Sequence, residues 1–290
     1  MIDWPQDLVD DIARRRSVLF LGAGISKNAV NDAGERPKDW TEYLRHAAQH
    51  VADSTKCNEI VGCIDANDLL TACELVRKHL RNDVFKRILL EEFVEKRFSH
   101  AEIHDHISAL DSRFVLTTNF EKIYENRANH IQQNTVIVKS YHDADVADAF
   151  RRTQRVVLKV HGSVDSPENA IFSRSDYARA RTKYGHFYQL LEALFLTHTF
   201  VFLGVSMRDP DIQLLLENYA YRFGGTRPHF MVMSRGSVAP AVLEIMETSM
   251  NLHAVLYDSA NHHKELADSL KELRMLVDAA RLDIVNRQDW

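Results

Sequence analysis

Four apolar runs of this chain end in residues that could act on a ligand. The first, Val18–Leu21, leads into Gly22-Ala23-Gly24-Ile25-Ser26. Two glycines there allow a sharp turn and a close backbone approach to a ligand. A helix expected to begin near Ser26 would turn its free N–H groups toward a phosphate. Lys27 stands where the dinucleotide fingerprint GxGxxG would have its third glycine, so that motif is incomplete. The second run, Phe114–Leu116, is followed by Thr117, Thr118 and Asn119. The third, Val156–Val160, is followed by His161 and Gly162, and the fourth, Phe200–Leu203, by Gly204, Ser206 and Asp209. Histidine exchanges a proton near neutral pH, and a carboxamide can orient a reactant. Each residue also has an ordinary reading. Asn119 serves equally as the cap of a helix starting at Phe120, His161 as one turn residue among 15 histidines, and Ser206 and Asp209 as caps of a helix near Pro210. Convergence separates the readings: in an open α/β sheet ligands sit outside the carboxyl ends of the strands, and four such ends describe one site.

The elements that must position these residues follow from periodicity. Six short β-rich runs, the four above with Phe230–Met233 and Ala254–Tyr257, are mostly apolar on both faces, as for strands covered by helices on both sides. Helical spacing appears at Leu44, Ala47, Ala48 and Val51, at Leu69, Leu70, Cys73 and Val76, at Leu191, Leu194 and Phe195, at Ile212, Leu215 and Leu216, and in a long last helix at Leu266, Leu270, Leu273 and Val277. Alternating strands and helices predict a Rossmann-like α/β fold, doubly wound around a mostly parallel sheet. Roughly ninety helical residues separate the first two strands, against about a dozen for an ordinary crossover. The stretch 39–110 is therefore read as a helical insertion or subdomain after the first strand, within a single domain over 1–290. Ser163–Glu168 reads as loop.

Composition narrows the class. A formal charge of −5 leaves no basic footprint for nucleic acid. Cys57, Cys63 and Cys73 form no CxxC pair, which argues against a disulfide framework and a four-thiolate zinc site. His100, His104 and His106 form HxxxHxH without a glutamate in an HExxH arrangement, and read as solvent-facing or capping residues, as do His262 and His263. No metal is expected. Asp3, Asp10 and Asp11 precede the first apolar run, unlike a secretory signal. No run approaches the ~18 apolar residues that span a bilayer. A cytoplasmic protein that contacts no membrane is expected.

Taken together, GAGIS at Gly22–Ser26, TTNFE at Thr117–Glu121, KVHGSV at Lys159–Val164 and FLGVSMRDP at Phe202–Pro210 resemble, in family order, the SIR2-like domains of bacterial anti-phage defence systems, relatives of the sirtuins. The resemblance spans Val18 to about Glu217. It implies a Rossmann-like sheet with a helical module and NAD⁺ as the ligand, consumed as a substrate. Gly22, Ala23, Gly24 and Ser26 would wrap its phosphates, Gly204 and Ser206 would line the adenosine side, and Thr118 and Asp209 would contribute to cofactor binding. Asn119 would sit by the nicotinamide ribose and position it or the attacking water, and His161 would be the general base. The family motif carries Asp where this chain has Glu121, one methylene longer.

The activity implied is NAD⁺ glycohydrolysis, which breaks the nicotinamide–ribose bond and depletes the infected cell of NAD⁺. Two other readings stand beside it: a NAD-dependent protein deacylase or ADP-ribosyltransferase, and a non-catalytic module that senses NAD⁺ or ADP-ribose. The zinc ribbon of sirtuin deacylases is missing here, and a sensor has no need of both Asn119 and His161. Relatives of this kind work with a separate sensor or regulator subunit and as homo- or hetero-oligomers. The surfaces expected to meet such a partner are the 39–110 insertion and the last helix, 264–283, whose apolar stripe reads equally as core.

Overall fold

The computed structural model describes residues 1–206 and 209–289. Seven strands form one sheet: β1 (Ser17–Leu21), β2 (Phe114–Thr117), β3 (Ile137–Ser140), β4 (Val156–Lys159), β5 (Thr199–Leu203), β6 (His229–Ser234) and β7 (Leu252–Tyr257). Their order is β3-β4-β2-β1-β5-β6-β7, and every pairing is parallel. The chain steps outward from β1 to β2 and β4 on one side, and through β5, β6 and β7 on the other. This is the doubly wound Rossmann-like order with one added edge strand.

Period-two alternation assigns the side chains to two layers. Val18, Phe20, Leu116, Leu158, Phe200 and Phe202 point into one core, shared with helices Arg174–Lys183, Gly185–Thr197 and Pro210–Arg222. Leu19, Leu21, Val115, Val157, Val201 and Leu203 point into the other, shared with Gln6–Ala13, Glu102–Ala109, Ile123–Ile131 and the last helix, Ala260–Arg287. The stripe Leu266, Leu270, Leu273 and Val277 is buried in this second core. It is not the partner-facing surface offered as one reading of that helix. Asn261, His262 and His263 carry left-handed φ values, so regular helix begins at Lys264.

Six strands lie where the apolar runs place them. The seventh, β3, went unread because it is a four-residue edge strand, half-exposed and broken by Lys139. Between β1 and β2 a third core gathers Leu44, Ala47, Ile60, Ile64, Cys73, Val76, Phe85 and Ile88 from helices Trp40–Ala48, Ser54–Asp65, Leu69–His79 and Asn82–Leu90. Three Asp caps start the first three of these helices, with Asp39 and Glu42 forming a full capping box. Among the described residues no helix is long and apolar enough to cross a membrane.

His229 shows what burial does to a titratable ring in this core. It packs against Phe195, Phe200 and Tyr219 and accepts the Phe200 N–H at Nδ1, 3.1 Å. Burial lowers its pKa to about 4. Below the unfolded value near 6.5 the unfolded chain takes up a proton that the fold refuses. Its neutral form therefore stabilises the fold fully above that value, and the contribution falls away as pH drops toward 4. Denaturant unfolding of wild type and His229→Gln between pH 7 and 4 should differ in slope. About 3 kcal/mol of the wild-type loss should be absent from the variant.

Candidate active site

Register builds the site. Leu21 pairs with Thr117 and with Leu203, and Thr117 pairs with Lys159, so four strands finish in one row. The next residues of each rise from that row around a cavity of about 360 Å³. Gly22, Ala23, Gly24, Ser26, Thr118, Asn119, His161, Gly204, Ser206 and Asp209 all line it. Met207 and Arg208, inside the fourth motif, lie outside the described residues.

At the centre, where connections from β1 and β5 diverge, two turns touch backbone to backbone. Gly22 and Gly24 donate their N–H groups to Leu203 O and Gly204 O at 3.0 and 2.9 Å. A Cβ on Gly22 would stand 2.4 Å from Gly204 O, and one on Gly204, at φ +61°, would stand 2.5 Å from Ile25 N. The glycine turn is thus spent first on this contact. The helix expected near Ser26 begins at Ala23 and ends at Ser26, a single turn.

On one side of that contact, Asn119 Nδ2 donates to Ser26 Oγ at 2.8 Å, and Ser26 Oγ donates to Glu121 Oε1. Glu121 Oε2 accepts the Ile123 N–H at 2.6 Å and so starts helix Ile123–Ile131. Asn119 caps nothing; the helix expected at Phe120 starts three residues later, served by Glu121. The Ser26 hydroxyl, expected at phosphates, is engaged by protein on both sides. The extra methylene of Glu121 lets one carboxylate reach the Ser26 hydroxyl and the Ile123 amide together. Beneath, Lys159 Nζ lies 2.8 Å from Glu125 Oε1 and donates to Glu121 O at 2.5 Å. Both charges are buried, and burial pushes the Glu125 carboxyl up against the pull of Lys159.

On the other side, His161 Nε2 lies 3.0 Å from Asp209 Oδ2, which also accepts the Tyr177 hydroxyl at 3.0 Å. Asp209 Oδ1 accepts the N–H groups of Asp211 and Ile212, both at 3.0 Å, and caps helix Pro210–Arg222. Burial would raise the Asp209 carboxyl, but the His161 charge and hydrogen bond, the Ile212 amide and Tyr177 outweigh it and hold it below its ordinary value. Tyr177 sits edge-on to the His161 ring, centroids 5.2 Å apart.

The roof comes from the helical insertion and neighbouring loops: Trp40, Tyr43, Phe93, Phe120 and Phe172. Lys27 Nζ reaches across the mouth to Asp39 and Glu42, at 2.8 and 2.9 Å, which explains why a lysine suits the third-glycine position. Tyr177, Trp40, Tyr43 and Phe93 carry no sequence signal of their own, since helical aromatics form no motif. Away from the cavity, His104 Nδ1 accepts the Ala101 N–H at 3.0 Å and His106 Nε2 lies 3.2 Å from Glu102. Both rings are buried rather than solvent-facing. All three cysteines are free; Cys73 is buried and accepts the Trp40 indole N–H at 3.1 Å, and burial pushes its thiol up. Among the described residues no three His, Cys, Asp or Glu side chains gather as a metal site.

A Rossmann-like sheet holding these motifs at its switch point agrees with comparison to known proteins. Residues 113–255 match the family described as SIR2-like domain. Over that stretch the chain is similar to a SIR2-like domain. The NAD(+) hydrolase ThsA of Enterococcus faecium is 25% identical over 229 residues, 77% of this chain and 44% of that protein. The protein of the same name from Bacillus cereus is 22% identical over 241 residues, 82% and 47%. Defense-associated sirtuin 2 of Bacillus subtilis is 22% identical over 219 residues, 74% and 20%. The chain thus spans less than half the length of these curated relatives.

The glycine contact yields a stability prediction. Gly204→Ala combines a left-handed φ with a backbone clash, and should destabilise by at least about 2 kcal/mol. Gly185→Ala, where a Cβ meets nothing within 4 Å, should be nearly neutral. Equal melting temperatures for the two variants would show that the turns can separate without penalty.

Proposed function

We propose that this chain hydrolyses NAD⁺ at the nicotinamide–ribose bond and acts in the cytoplasm as an effector that depletes NAD⁺ in bacterial anti-phage defence. The observation that carries the reading is a single switch-point cavity lined by both a carboxylate-paired histidine, His161, and a carboxamide locked by two hydrogen-bonded neighbours, Asn119. The names of the relatives, NAD(+) hydrolase and defense-associated sirtuin, support it.

The chemistry needs those residue types. As the C1′–N bond breaks, positive charge develops on the ribose, as in glycoside hydrolysis. Nicotinamide leaves neutral, so no acid need protonate it. A water oxygen then bonds to C1′ and loses a proton, which His161 can accept directly or through a ribose hydroxyl. Asn119 has its backbone N–H and one Nδ2 hydrogen committed within the protein, and its side-chain Oδ1 would orient the ribose or the water. The Gly22–Gly24 turn and Ala23 would lie along the phosphates, and Thr118, Gly204 and Ser206 along the rest of the dinucleotide. The aromatic side chains lower the polarity of the cavity wall, which strengthens these polar contacts.

His161→Ala and Asn119→Ala should each lower NAD⁺ cleavage at least about 10²-fold, the scale of a lost base step, with folding intact by circular dichroism. Free nicotinamide released by the pure protein is the measurement. A soluble variant with near-normal release would remove that residue from the mechanism.

An unregulated NAD⁺ hydrolase would be toxic to its own cell, so we assign control to a separate regulator subunit or to self-association. The last helix keeps an apolar outer side for this, with Met275 and Leu282 each 66% exposed. Turnover per molecule should rise with protein concentration, or with addition of the proteins encoded beside it. Constant full activity as a dilute monomer would end the control reading and leave the hydrolase reading untouched.

A further inference from the structure

We propose that Asp209 is a positioning residue for His161: with Tyr177 it holds the ring in the tautomer protonated on Nε2 and leaves Nδ1 as the basic nitrogen. Its part in catalysis rests on the hydrolase reading above; the tautomer itself does not. The resemblance places Asp209 among cofactor contacts, but the geometry gives its oxygens other work. Oδ2 receives His161 Nε2 and the Tyr177 hydroxyl, both at 3.0 Å. Oδ1 receives two backbone amides of the helix it caps. A carboxylate with four donors on two oxygens has little left for a nucleotide.

Several features make this a built pair. His161 and Asp209 are both buried, and a carboxylate accepts only, so an N–H must point at it. Neutral imidazole carries one N–H, which fixes the proton on Nε2. Among the described residues none hydrogen-bonds His161 Nδ1, while the ring lines the cavity. The T-shaped contact with Tyr177 fixes the ring plane, and the Tyr177 hydroxyl fixes the carboxylate. Asp211 lies behind Asp209 and is itself held by Arg181 and Tyr188, at 2.5 and 2.6 Å.

Asp209→Asn is the informative variant. Its side-chain oxygen can keep both helix-cap bonds, because turning the amide round would set its NH₂ against two backbone N–H groups. The NH₂ must then face His161 Nε2, which becomes an acceptor, and the ring proton moves to Nδ1. A carboxylate-oriented histidine forced into the wrong tautomer loses up to about 10⁴-fold in rate.

The test pairs imidazole ¹⁵N NMR with kinetics on the full chain. The His161 signal is assigned by its loss in His161→Ala and read at a pH where the ring is neutral. Wild type should show protonated Nε2, and Asp209→Asn protonated Nδ1. Asp209→Asn should cleave NAD⁺ at least about 10²-fold more slowly while binding it within about threefold, and the double variant with His161→Ala should be no slower than His161→Ala alone. Tyr177→Phe, which keeps the aromatic packing, should retain the wild-type tautomer and lose about tenfold in rate. A wild-type ring protonated on Nδ1 overturns the proposal, whether or not the protein cleaves NAD⁺. A loss confined to NAD⁺ affinity, or additive with His161→Ala, overturns it by making Asp209 a nucleotide contact. If NAD⁺ is not cleaved at all while the ring carries its proton on Nε2, the hydrolase reading fails and the pairing stands. If Asp209→Asn does not fold, the wild-type tautomer and the Tyr177→Phe rate still decide.

Discussion

The site depends on one contact between two backbones. Where β1 and β5 end side by side, Gly22 and Gly24 press against Gly204 so closely that no Cβ fits between them. That contact joins the two halves of the sheet at the point where their connections part, which is where an open α/β sheet has its crevice. It also leaves only small or apolar residues, Ala23 and Val205 beside the glycines, in the middle of the crevice. Polar side chains then reach the cavity from the flanks, from the strands beside β1 and from the loop after β5. Asn119, His161 and Asp209 are found there because the register leaves them nowhere else to rise.

The two flanks solve the same difficulty in parallel ways. Each buries carboxylates in low dielectric, where an unpaired polar group is heavily penalised and a paired one is rigid. Glu121 is satisfied by Ser26 and the Ile123 amide, with Lys159 and Glu125 beneath. Asp209 is satisfied by His161, Tyr177 and two amides. The result is that Asn119 and His161 are oriented before any ligand arrives. Preorganised polar groups of this kind need no rearrangement at the moment of reaction. The helical insertion adds aromatic side chains above them and is tied to helix Arg174–Lys183 by polar contacts such as Ser175 Oγ to Glu74, 2.7 Å.

How much of this was legible in the sequence depends on which force fixes each residue. Strands buried on both faces show as apolar runs, so six of seven could be placed; β3, an edge strand, trades that signal for solvent. Asn119 and His161 were legible because each stands two residues past a strand, and a strand end fixes where the next two residues can go. Helix starts were not, since they turn on hydrogen bonds made over long separations. Glu121, not Asn119, supplies the amide partner after β2, and a single turn follows Gly22 because the chain must then cross to the insertion. Tyr177 carries no signal at all: its place opposite Asp209 is set by helix Arg174–Lys183 packing over the sheet, a relation between residues 32 apart.

Asp209 shows why stability and chemistry cannot be separated here. One oxygen starts helix Pro210–Arg222, and that helix buries Ile212, Leu215 and Leu216 against the sheet. Packing of those side chains fixes the helix, the helix fixes its cap, and the cap presents its second oxygen to His161. The orientation of the ring is therefore a by-product of forming the core and needs no separate device. The same reasoning applies to Glu121, whose bond to the Ile123 amide at the start of Ile123–Ile131 fixes the oxygen that holds Ser26 and, through it, Asn119. In both cases a carboxylate that binds a backbone amide at the start of a helix holds a cavity-lining side chain with its remaining oxygen.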